Sequence, residues 1–112
     1  MEKDIYTIHA DFCKVFTNRA RLEILDQLRD GEKSVSELAK AIGLNQPNVS
    51  QHLAILREKK IVLTRKMGNV IYYSITNRGL YKALDIVRDM ICDQLIQDSA
   101  IAKKAKKSTR GK

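Results

Sequence analysis

Apolar residues recur at helical spacing through most of the chain, and each break in the rhythm falls on a capping or turn residue. In DIYTIHADFCKVF, residues 4–16, Ile5, Ile8, Phe12, Val15 and Phe16 share one face and predict a first amphipathic helix. Asn18 is placed to cap a second, RARLEILDQL, with Leu22, Leu25 and Leu28 inward and Asp30 and Gly31 marking its end. Ser34 and Glu37 have the spacing of a capping box, so a third helix, VSELAKAI, should begin there and stop at Gly43. Asn45 caps a fourth, and Pro47 falls in its first turn, where no intrahelical N–H bond is lost. The third and fourth helices, joined around Gly43 and Leu44, form a helix-turn-helix.

After Lys60 the period shortens to two. IVLTRKM, then Gly68 and Asn69, then VIYYSI reads as a hairpin with a two-residue turn. With Arg65, Lys66 and Asn69 on and beside its tip, this hairpin makes the whole a winged helix. A long helix should then run from Arg78 to about Ala102, striped by Leu80, Leu84, Val87, Ile91 and Leu95. That stripe is longer than a small domain covers by itself, so a homodimer interface is expected on the first and last helices. The predicted fold is mostly α with a β-hairpin wing (α+β), five helices plus a two-stranded wing, within residues 1–102. Residues 103–112, KKAKKSTRGK, are basic and lack periodicity, and are expected to be disordered.

The fourth helix has two contrasting faces. Val49, Leu53 and Leu56 form a buried stripe that Ala54 and Ile55 should widen. The opposite face carries Gln46, Asn48, Ser50, Gln51 and His52, side chains that donate and accept hydrogen bonds where a merely solvated face favours Glu and Lys. Charge singles out the same segment. The formal net charge is +8, and residues 45–78 hold six basic side chains against one acidic, while the last ten residues hold six and none. Such localised positive charge is the footprint of a polyanion binder.

Other classes fit less well. The amino terminus MEKDIY is acidic, and no segment approaches the roughly 20 apolar residues of a membrane span, so a cytoplasmic protein without membrane contact is expected. There is no Gly-rich phosphate loop and no grouping of acid, base and nucleophile, so neither catalysis nor a cofactor is expected. An RNA-binding or protein-interaction module is the competing reading. RNA recognition favours aromatic stacking platforms, and only Tyr72 and Tyr73 lie near the basic surface.

Three segments together resemble the ArsR/SmtB family of dimeric winged-helix repressors over roughly residues 10–98: NRARLEIL, SVSELAKAIGLNQPNVSQHLAILREKKIV and KMGNVIYYSI. The resemblance implies binding of double-stranded DNA, at an imperfectly palindromic operator, by a homodimer that a ligand or oxidant releases. It makes the fourth helix the recognition helix, with Gln46, Asn48, Ser50, Gln51 and His52 toward bases, since Gln and Asn pair bidentately with adenine. Arg57, Lys59, Lys60, Arg65, Lys66 and Asn69 would hold phosphates. The family's sensing sites transfer less completely. Where metal-sensing members carry E-L-C-V-C-D-L, this chain has Glu32 to Leu38 with serines at positions 34 and 36. Asn77 and Gly79 stand where zinc-sensing members carry Asp and His.

Cys13 and Cys92 fall on the first and last helices, and three readings stay open for them. They are small buried apolar residues, or a redox pair answering thiol oxidation or polysulfide, or, with His9 one turn before Cys13, a soft-metal or metalloid site.

Overall fold

The computed structural model of the 112-residue chain describes residues 4–98. Its elements run α1 (Ile5–Cys13), α2 (Arg19–Gln27), β1 (Lys33–Ser34), α3 (Val35–Ile42), α4 (Gln46–Glu58), β2 (Val62–Met67), β3 (Val70–Ile75) and α5 (Gly79–Ile96), with single 3-10 turns after α1 and α2. Residues up to Asn77 form one compact unit and those from Arg78 another. The predicted basic tail lies outside the described residues, as does most of the expected extension of the last helix toward Ala102. Within the described residues α5 ends at Ile96.

Four helices begin where a side chain accepts from a backbone N–H three residues on. Asp4 serves α1, Asn18 α2, Ser34 α3 and Asn45 α4, at 2.8 to 3.1 Å. Each such cap contributes about 1 kcal/mol. Ser34 and Glu37 complete the capping box, because the backbone N–H of Ser34 donates back to Glu37 Oε1 at 2.9 Å. Gly43 closes α3 at φ 75°, in the left-handed region that glycine enters without a Cβ clash.

The sheet has three strands in the order β1-β3-β2, all antiparallel, so the expected two-stranded wing is extended by Lys33 and Ser34 pairing with Tyr73 and Tyr72. A two-residue strand carries no periodicity that a sequence pattern can register. The hairpin turns at Gly68 and Asn69, and Gly68 alone has positive φ, 63°, as a type II′ turn requires.

The core of the first unit is made by Val15, Ile24, Leu25, Leu28, Leu38, Ala39, Val49, Leu53, Leu56, Ile61 and Val62. On α2, Ile24 is fully buried and Leu22 only half-buried, a rotation of the expected face. On α1 no residue is buried, and Ile5, Tyr6, Ile8 and Phe12 stand exposed. On α5, Leu80 and Leu84 are half-buried, whereas Val87, Ile91 and Leu95 are exposed together with Ile86 and Met90.

The end of α4 shows a local conflict. The N–H of Ile61 donates to the carbonyl of Leu56 and that of Lys60 to the carbonyl of Arg57, both at 2.9 Å. This pair of bonds is a Schellman closure, reinforced by burial of Ile61 and Leu56. The motif needs a left-handed residue, and here that residue is Lys60 at φ 62° rather than glycine. Lys60→Gly should therefore raise the unfolding free energy by about 0.5–1 kcal/mol, the relieved strain exceeding the added freedom of the unfolded chain. Urea unfolding at fixed protein concentration measures it; a loss of stability would mean that packing of the lysine stem outweighs the strain.

Candidate nucleic-acid interface

Val49, Leu53 and Leu56 are wholly buried, and this fixes the rotation of α4 about its axis. At 3.6 residues per turn the side pointing away from them runs through Pro47, Gln51, Ala54 and Glu58, all exposed. Gln46, Asn48 and Ser50 are exposed on its flanks. Ala54 and Ile55 do not widen the buried stripe as the sequence suggested. Both are exposed, Ile55 at 36%. Ala54 follows Gln51 by one turn and presents a methyl group, the kind of contact that suits a thymine methyl. Projection on a strict helical wheel would have placed it there.

His52 separates from its neighbours. It is half-buried at a cleft of about 440 Å³ whose lining includes Asn18, Arg19 and Glu23 at α2 and Leu44 and Asn48 beside it. Its Nδ1 is buried without a hydrogen-bond partner, and burial, aided by the nearby Arg21 charge, lowers the imidazole pKa below its ordinary value. The ring is thus held neutral toward α2 while Gln51 points outward.

The other flank of α4 meets the sheet. Ser50, Ala54, Arg57, Glu58 and Tyr73 line a shallow cleft of about 400 Å³. Tyr73, which sequence reasoning left out of the site, lies opposite Thr64 on β2 and Lys33 on β1. Arg57, Lys59, Lys60, Arg65, Lys66 and Asn69 are all exposed. Cross-strand register divides the two wing cations. Lys66 pairs with Ile71 and shares the face of Tyr73, whereas Arg65 pairs with Tyr72 on the opposite face. Arg65 Nε donates to Glu32 Oε1 at 3.1 Å, and its Nη2 donates to Glu32 Oε2. The guanidinium also lies over the Tyr72 ring, 5.8 Å from its centroid. The hydrogen bond from Arg65 holds the Glu32 carboxyl below its usual pKa, and the same bond raises that of Arg65.

Both cysteines are thiols, Cys13 exposed at the end of α1 and Cys92 buried in α5. Among the described residues no three His, Cys, Asp or Glu side chains gather as a metal-holding group. No helix among them is long and apolar enough to cross a membrane.

Residues 18–63, which contain α2, α3 and α4, match the family model described as bacterial regulatory protein, arsR family. Over 98 residues the chain is 33% identical to the HTH-type transcriptional regulator Rv0081 of Mycobacterium tuberculosis, covering 87% of this chain and 86% of that protein. The crystal structure of Rv0081 superposes with a TM-score of 0.77 over 86% of this chain and 97% of that one, at 32% identity. The transcriptional repressor BigR from Xylella fastidiosa superposes at a TM-score of 0.65, with 36% identity over 73% of this chain and 87% of that one. A homodimeric winged helix-turn-helix DNA-binding domain from Mycobacterium bovis, described as a possible ArsR-family regulator, gives a TM-score of 0.69 at 27% identity, covering 88% and 94%.

The lowered pKa of the half-buried His52 has a consequence for stability. With the folded pKa below the ordinary 6.5, its contribution is complete above that value and is lost as pH falls through the lowered folded pKa. Thermal unfolding should therefore move to lower temperature between about pH 7.5 and about pH 5.5, and His52→Gln should flatten that part of the profile. An unchanged slope in the variant would place the proton uptake elsewhere.

Proposed function

The chain belongs to the ArsR family of winged helix-turn-helix transcriptional regulators, and we propose that it is a repressor that binds an imperfectly palindromic operator as a homodimer and leaves it when its thiols are oxidised. The observation that carries the DNA-reading part is the outward side of α4, where Gln51 stands exposed one turn before Ala54. Gln46, Asn48, Ser50 and Gln51 are assigned to base edges in the major groove, where an amide side chain can bond adenine twice. Arg57, Lys59, Lys60, Lys66 and Asn69 are assigned to the backbone, which supplies affinity without sequence information. His52, turned toward α2, is a lesser candidate and is left to a supporting role.

Two copies suit this reading because α1 and α5 each leave apolar side chains exposed, Phe12 and Ile8 on one, Ile86, Val87, Met90 and Ile91 on the other. A second copy of the chain is the proposed cover, in keeping with the homodimeric relative. Two recognition helices related by a two-fold axis would then read half-sites about one helical turn apart.

The release step is assigned to Cys13 and Cys92. The serines at positions 34 and 36 remove the thiolates of the familiar α3 metal site, and Asn77 and Gly79 are poor zinc ligands, which leaves these two thiols as the sulfur chemistry available. The exposed Cys13 meets the oxidant first. A polysulfide or disulfide forms a mixed disulfide with it and expels a thiolate. The second thiol then closes the protein disulfide, so that two thiols lose two protons and two electrons while the oxidant's S–S bond is reduced. A disulfide requires Cα atoms about 4.4–6.8 Å apart, so closing it would constrain the helices that set the spacing of the two DNA-reading heads. The competing reading, a soft-metal response, uses His9 one turn from Cys13 on α1 with ligands completed by the second subunit.

Two measurements test these assignments. Gln51→Ala should weaken a duplex selected on the wild-type protein by about 1–3 kcal/mol more than a scrambled duplex, whereas Lys66→Gln should weaken both and flatten the salt dependence by about 0.9 per chain. Equal losses on both duplexes for Gln51→Ala would remove it from base reading. Mild oxidation with polysulfide should lower wild-type affinity for the selected duplex at least about tenfold, a coupling of about 1.4 kcal/mol, and Cys13→Ser and Cys92→Ser should abolish that response. A response to metal ions alone, lost with His9→Ala, would favour the metal reading instead.

A further inference from the structure

The wing carries two neighbouring cations that sequence treats alike and the structure does not. Lys66 lies on the sheet face shared with Tyr73, which lines the cleft against Ser50 and Arg57 of the recognition helix. Arg65 lies on the other face and is engaged three ways, through Nε and Nη2 to the two oxygens of Glu32 and over the ring of Tyr72. Glu32 is held in place by its neighbours. It immediately precedes β1, whose Lys33 and Ser34 are registered against β3, and Ser34 is also the cap of α3. The Glu32 backbone is thus set at the entry to the helix-turn-helix, and its carboxylate meets a guanidinium from a strand 33 residues later.

We propose that Glu32 is a built-in competitor that withholds Arg65 from DNA until the wing docks closely enough for a phosphate to replace the carboxylate, and so limits the affinity for DNA. The inference rests on the DNA-binding reading above.

The energetics allow such an exchange. Both side chains are well exposed, Arg65 at 49% and Glu32 at 36%, and an ion pair in that setting is weak enough for a competing anion to break. A phosphate offers the guanidinium the same two-point geometry as the carboxylate. In a loosely held complex on arbitrary sequence the phosphate contact within reach of Arg65 is weaker than its pair with Glu32, so Arg65 stays with the carboxylate and adds nothing to the counterion-release term that dominates such binding. On a preferred site the recognition helix sets the register, the wing is brought to the backbone, and the exchange takes place. The carboxylate therefore costs a loose complex the phosphate contact that Arg65 would make and costs a well-docked complex the energy of the ion pair it must break, so it lowers affinity for both.

The test compares the full-length wild type with Glu32→Gln, Arg65→Gln and the double variant. Each is titrated over a range of salt on a scrambled duplex and on a duplex of equal length selected from a random pool by the wild type. Glu32→Gln should bind the scrambled duplex about three- to tenfold more tightly at low salt, with the log–log salt slope steeper by about 0.9 per chain, and should bind the selected duplex more tightly by at least the same factor with its slope unchanged. Arg65→Gln should lower the slope on the selected duplex and leave the scrambled one unchanged. The double variant should show no gain over Arg65→Gln. Circular dichroism melting confirms that each variant is folded. An unchanged or weaker grip of Glu32→Gln on the scrambled duplex overturns the inference, as does a gain that persists without Arg65, since that would make Glu32 only a nearby negative charge. A wild type that binds neither duplex at low salt sinks the DNA-binding reading itself, a result distinct from either of these.

Discussion

Complete burial of Val49, Leu53 and Leu56 is the constraint from which the rest of the interface follows. Each side chain contributes about 1.5–3 kcal/mol by leaving water, and their spacing of four and three makes one stripe that can face the core in only one rotation of the helix. A turn of α4 by one residue would expose a leucine and bury an amide, both costly. The direction of Gln51, Ala54 and Ser50 is therefore set by the buried residues of the core. The same anchoring continues past the helix end, where Ile61 is buried, bonded to the carbonyl of Leu56 in the Schellman closure, and leads directly into β2. The placement of α4 and of the hairpin thus both follow from one packed core.

Charge is distributed on that frame with more discrimination than the net value suggests. Lys66 shares the face that meets α4, while Arg65 is turned to the other face and matched with Glu32. His52, which composition groups with the polar face, is turned toward α2 and kept neutral by its surroundings. The outward side of α4 carries Gln51 among Pro47, Ala54 and Glu58, with the amides of Gln46 and Asn48 and the hydroxyl of Ser50 on its flanks, and the cations stand around it. That division suits a surface in which bases are read by amides and hydroxyls and the backbone is held by ammonium and guanidinium groups.

How much of this was legible in the sequence depended on distance along the chain. Caps at Asn18, Ser34 and Asn45, the turn at Gly43 and the hairpin at Gly68 depend on residues within a few positions, and their patterns survive in any context. The pairing of Lys33 and Ser34 with β3 was illegible because two residues make no period, and the Arg65–Glu32 pair because it joins positions 33 apart. Ala54 and Ile55 escape a reading that treats helix faces as halves, because the angle of 100° per residue divides them more finely. Ile86 and Met90 were missed on α5 because a single stripe was traced where the exposed apolar face is two residues wide.

Chemical probing of the grooves tests the central claim most directly. The full chain would be bound to a duplex selected from a random pool and treated with dimethyl sulfate, which methylates guanine N7 in the major groove and adenine N3 in the minor groove. If α4 reads the major groove in a two-fold complex, guanine N7 should be protected in two patches centred about one helical turn apart, with half-site sequences related by a dyad. Protection confined to adenine N3, or a single patch with no dyad, would contradict it.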